Sequence, residues 1–106
     1  MSEDDGFDDV ERELWRVVDR LNSLPLTKAA AATSDVYAAA HVLLNQTRRL
    51  DPAVPADAGL PNLAPQGLGA MVAVLGGDWL DAARASSEPD IDPVLDALVT
   101  LRRALP

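Results

Sequence analysis

Cysteine is absent from this 106-residue chain, and there is a single histidine. The first absence excludes a disulfide framework, a thiol nucleophile, and cysteine-ligated zinc or iron–sulfur centres. The second excludes most histidine-based metal sites within one chain. Basic residues are also scarce. Lys and Arg total 9 against 17 Asp and Glu, a formal net charge of −8. Gripping a phosphate backbone takes clustered Lys and Arg, so no nucleic-acid partner is expected. The most apolar stretch, Leu68 to Leu75, falls far short of the roughly 20 residues that span a bilayer. The acidic opening MSEDDGFDDV lacks the basic start and apolar run of a secretory signal. No membrane association and a cytoplasmic location are therefore expected.

Aromatic residues make up only 4% of the chain, and β-branched residues are few, which disfavours strands. Alanine and leucine dominate the apolar set, and both are strong helix formers. With 48% hydrophobic residues the chain is too apolar to be disordered. Its length allows one core and no second. The expected fold is an all-α bundle of four to five helices with a proline-rich crossover loop. Residues 8–106 are expected to form its single domain, preceded by a disordered acidic tail over residues 1–7.

Helical periodicity carries this reading. Asp8, with Glu11 three residues later, fits a capping box. Val10, Leu14, Val17, Val18 and Leu21 then form one apolar stripe. Trp15 sits beside that stripe. Asp8–Arg12 and Glu13–Arg16 have the spacing of side-chain pairs on a helix. Pro25 ends the first helix, and Thr27 is a candidate cap for a second over Lys28 to Leu50. The upper part of that helix carries only small residues, which predicts either the bundle centre or a dimer seam. Thr33-Ser34-Asp35 is a candidate break, because such side chains compete for backbone hydrogen bonds. Residues 51–66 hold four prolines and are expected to form an extended strap, with Val54, Leu60 and Leu63 packing onto the helices. A lid over a pocket is the alternative. Leu68 to Leu75 reads as a short buried helix ended or kinked by Gly76-Gly77. Asp78 then caps a further short helix to Ala85. Asp92-Pro93 is a strong start signal for the last helix, whose inward residues are Val94, Leu95, Leu98, Leu101 and Leu105.

Several constellations bear on chemistry. Gly67-Leu68-Gly69 opens like a dinucleotide fingerprint, but Val72 stands at the third glycine position and no strand precedes it. The expected role of these glycines is close helix packing. Leu75-Gly76-Gly77-Asp78-Trp79-Leu80 resembles the LGGDSL segment of acyl and peptidyl carrier proteins over six residues. In that family the serine carries the phosphopantetheine arm. Trp79 takes its place here, so the resemblance brings no attachment chemistry. Asp78, Asp81, Asp90, Asp92 and Asp96 lie where caps and turns are expected, without the spacing of a calcium loop. No metal and no cofactor are expected.

By elimination, the chain is expected to be a non-catalytic protein-interaction or adaptor module, binding a protein partner or forming a homodimer. The candidate interaction residues are Trp15, Tyr37, His41 and Trp79. Tryptophan is enriched at binding hot spots, and Tyr37 and His41 share a helix face at a spacing of four. The alternative is an anion-binding or enzymatic bundle in which Arg12, Arg16, Arg48 and Arg49 hold a ligand under the strap. The two readings differ in what they require. An interaction module leaves an apolar patch exposed. A ligand site needs a concave pocket with convergent charge.

Overall fold

The computed structural model describes residues 3–54 and 59–106. Helix α1 spans Glu3–Ser23, α2 Leu26–Ala31, α3 Thr33–Leu50, α4 Leu68–Arg84 and α5 Asp92–Ala104. A 3₁₀ turn, Pro65–Gly67, leads into α4. There is no strand among the described residues.

Helix α1 packs against α4 and α5, and α3 packs against the same two helices, so α1 and α3 lie across the bundle from each other. Directions follow from individual contacts. Phe7 meets Trp79 near the start of α1, and Arg84 reaches Glu11. Asn22 lies against Gly69 at the other end. Helices α1 and α4 are therefore antiparallel. Gly6 faces Ile91, and Glu13 pairs with Arg102, so α5 runs parallel to α1. Val42 of α3 shares a groove with Pro93, whereas Asp35 lies by Ala104. Helix α3 thus runs against α5 and alongside α4.

That topology explains the strap. Parallel neighbours cannot be joined by a tight turn, and the chain must return the length of α3, about 27 Å at 1.5 Å per residue. The segment between Leu50 and Pro65 does this without a helix among its described residues. Residues 55–58 lie outside the described residues. Leu60 and Leu63 pack against the core, as the sequence predicts.

One apolar cluster joins all the long helices. Val10, Leu14, Val17, Val18 and Leu21 are all buried in it, as are Val36, Ala40, Leu43, Val94, Leu98 and Leu101.

Several expectations need correction. Residues 3–7 were expected in a solvated tail, but they form the first turns of α1. The cause is Phe7, which is buried and packs edge-on against Trp79 with ring centroids 6.3 Å apart. The guanidinium of Arg84 covers its ring at 5.8 Å. Residues 1 and 2 lie outside the described residues. Arg12 pairs with Asp9 at 3.4 Å rather than with Asp8, since the helix continues upstream and Asp8 is not a cap. The helix expected from Lys28 to Leu50 is divided at Ala32, one residue before the candidate break. The Ala32 amide is shared between the carbonyls of Lys28 and Ala29, and the turn lets α2 lie against the 3₁₀ turn. Pro25, not Thr27, occupies the cap position of α2. Finally, α4 runs unbroken through Gly76-Gly77. A side chain at Gly76 would collide with the Leu14 methyls. This glycine permits close approach of two helices; it does not end one.

Candidate functional site

The strap and α4 form an open groove of about 380 Å³ with an almost wholly apolar lining. Pro61 and Leu63 come from the strap, and Ala70, Met71, Val74 and Leu75 from α4. No charged residue lines it. The strap wall is held by Tyr37 of α3. Its hydroxyl donates to the Pro61 carbonyl at 2.6 Å and accepts from the Leu63 amide at 3.0 Å. Both ends of this clamp are groove residues, so Tyr37 sets the shape of the groove without lining it.

Among the described residues, three large hydrophobic side chains are strongly exposed: Trp15 at 50%, Leu26 at 60% and Val74 at 62%. They belong to three helices, α1, α2 and α4 respectively. Val74 is in the groove. Leu26 begins α2, which packs against the 3₁₀ turn at the head of α4. Trp15 lies on α1 between Glu11, which meets Arg84, and Asn22, which meets Gly69. The antiparallel register places it level with the middle of α4. Val74 adds a strongly exposed apolar side chain to the groove, a feature associated with interaction surfaces.

The predicted interaction residues separate. Trp15 is exposed. Tyr37 is half-buried and committed to the strap, while His41, one turn on, faces solvent. Trp79 is fully buried in the core and cannot touch a partner. Its apolar bulk carries it inward, and its Nε1–H lies buried with no partner.

The four arginines of the anion-binding alternative do not converge. Arg12 and Arg16 are exposed on α1, where they pair with Asp9 and Glu13 of the same helix. Arg48 and Arg49 end α3, across the bundle. Arg48 contacts Asn45 at 3.2 Å. An open cleft of about 770 Å³ lies between the ends of α3 and α4. Asp51, Asp78 and Asp81 line it, with no arginine. Carboxylates repel the anion that this alternative requires. No cluster suited to holding a metal ion occurs among the described residues.

Of the groove residues the sequence singles out Leu63, as a packing residue of the strap; Val74 and Leu26 are not singled out. A signal for Val74 was present in the stretch Leu68 to Leu75, apolar on nearly all sides. Such a helix is either enclosed on every side or presents an apolar face outward. Helix α4 occupies one edge of a ring of four and so exposes one.

The clamp is directly testable. Tyr37→Phe removes two hydrogen bonds, each worth about 0.5–1.5 kcal/mol. Stability is expected to fall by roughly 1 kcal/mol, since the freed strap groups can reach water. Amide exchange at Leu63 should accelerate while the core amides of α1 keep their protection. Unchanged exchange at Leu63 would show that packing alone holds the strap.

No helix among the described residues is long and apolar enough to cross a membrane. Comparison with protein-family models, curated proteins and solved structures finds no match for the chain.

Proposed function

We propose that this chain is a non-catalytic protein-interaction module that pairs with a second copy of itself through the outward face of α4. The observation that carries this reading is an uncharged apolar groove with the strongly exposed Val74 on its α4 wall, in a chain of net charge −8. Charge repulsion between copies is weakest where charge is absent. Ala70 and Val74 are the exposed groove residues of α4, and Asp78 and Asp81 continue that exposed side. The small side chain of Ala70 lets a second helix approach closely. In an antiparallel two-fold pairing centred on Val74, Val74 meets its symmetry mate and Ala70 meets Asp78, the reciprocal pattern of an isologous contact. The same register sets Asp78 and Asp81 beside the positive N-terminal end of the partner's α4.

Light scattering over a concentration series tests this. The expected mass is twice the chain mass of 11.2 kDa, falling to the monomer for Val74→Glu with little change in helicity. A wild-type monomer at every concentration would overturn the pairing. A dimer that persists in Val74→Glu would overturn the surface.

A further inference from the structure

A second groove lies between α3 and α5 and differs in chemistry from the α4 face. Ala38, Ala39 and Val42 of α3 and Ala97 and Leu101 of α5 floor an open channel of about 330 Å³. Its small residues allow a docked backbone to come close. One carboxylate stands on each helix, Asp35 on α3 and Asp96 on α5. Neither takes part in an ion pair or side-chain hydrogen bond among the described residues. No lysine or arginine lines the channel. Lys28 shares a neighbouring depression with Asp35 but forms no ion pair with it.

We propose that this groove docks a cationic amphipathic helix of a partner protein. An apolar floor between two unpaired carboxylates selects an occupant with small or aliphatic residues at i, i+3 or i+4 and i+7, flanked by Lys or Arg. Helix-in-groove recognition uses this pattern. Charge complementarity excludes the competitors. A second copy would bring further carboxylates to a face already acidic, in a chain of net charge −8, and a nucleic acid would be repelled. The carboxylates add specificity and speed of encounter, and the apolar floor supplies contact area. The site is independent of the α4 face and of whether the chain dimerises. It would make the chain an adaptor with two chemically distinct faces.

The probe is a synthetic amphipathic helix with an alanine–leucine face and lysine flanks, compared with the same peptide carrying glutamate in place of lysine. Binding is followed by backbone amide shifts of the whole chain. The lysine peptide is expected to saturate, with shifts gathered on Ala38, Val42 and Ala97, and the glutamate peptide to leave them unmoved. The double variant Asp35→Asn/Asp96→Asn should bind roughly tenfold more weakly. Asp8→Asn/Glu88→Gln, with the same change in net charge at exposed carboxylates outside both grooves, should bind as wild type. Equal weakening in both variants would reduce the effect to overall charge and overturn the proposal. So would shifts centred elsewhere, equal binding of the glutamate peptide, or no saturable binding. Both Asp35 and Asp96 are exposed, and a melting curve for each variant verifies that the fold is kept.

Discussion

Replacing Trp79 with alanine is expected to destabilise the chain by about 3–5 kcal/mol, the usual cost of truncating a fully buried large aromatic. Trp79 heads the fully buried side chains by volume, and its exposure is zero. It also anchors Phe7, and with it the first turns of α1. Domains of this size are stable by only about 5–15 kcal/mol, so the variant should melt more than roughly 10 °C lower or fail to fold. Trp79→Phe separates packing from polarity. It keeps a ring against Phe7 and removes the buried, unpartnered Nε1–H. Leaving such a donor unsatisfied costs about 1–3 kcal/mol, which offsets part of the lost volume. The phenylalanine variant should therefore lose less than half of what the alanine variant loses. Chemical denaturation of the two side by side checks this. Equal losses would mean that the indole N–H is satisfied in solution, for example by a buried water.

Alanine at Gly76 and alanine at Gly77 are expected to have opposite effects, although the positions are adjacent in one helix. At Gly77 a Cβ meets nothing within 4 Å. There the change only removes backbone freedom from the unfolded chain, a gain of about 0.5–1 kcal/mol. At Gly76 the same Cβ lies 2.6 Å from Leu14 Cδ2 and closer still to Cδ1. Leu14 is 1% exposed and has no solvent to move into. Overpacking of this kind costs about 1–3 kcal/mol, more than the propensity gain of roughly 1 kcal/mol. The net expectation is a loss of about 1–2 kcal/mol at Gly76. Gly69 is the intermediate case. Its Cβ would meet the Asn22 carboxamide, but Asn22 is exposed and can swing away, so Gly69→Ala should be near neutral. Urea unfolding of the three variants at one dilute protein concentration gives the order. Stabilisation of Gly76→Ala would show that α1 and α4 are not held as closely as the contact implies.

The same glycines mark how far the sequence could be read. A glycine pair after an apolar run is equally compatible with a helix end and with a helix that another helix approaches closely. Local propensity favours the end, because each glycine costs a helix about 1 kcal/mol. The close contact with Leu14 decides otherwise, and nothing near Gly76 in the chain announces it. Phe7 was hidden among acidic residues that by composition suggest a tail. Its partner Trp79 lies 72 positions away. Glu13 shows both sides of the matter. Its pairing with Arg16 at 3.3 Å is legible from the spacing. Its shorter contact of 2.6 Å with Arg102 of α5 is not.

The candidate site divides in the same way. Trp15 and Tyr37 stand out in a chain with few aromatics, yet their roles differ once folded. Trp15 remains exposed, and Tyr37 clamps the strap that walls the groove. The exposure of Val74 depends on α4 lying at an edge of the ring.

By itself, the sequence determined the all-helical class, the inward stripes of α1, α3 and α5, the strap and the chain's acidity. These follow from period, propensity and composition, which act over a few residues or over the whole chain at once. Tertiary structure alone decided the unbroken α4, the burial of Trp79, the separation of the four arginines, and the placing of an uncharged groove on one side and an acid-rimmed groove on another. Each depends on which helices become neighbours. That choice is made by packing between segments far apart in the chain, and no local pattern encodes it.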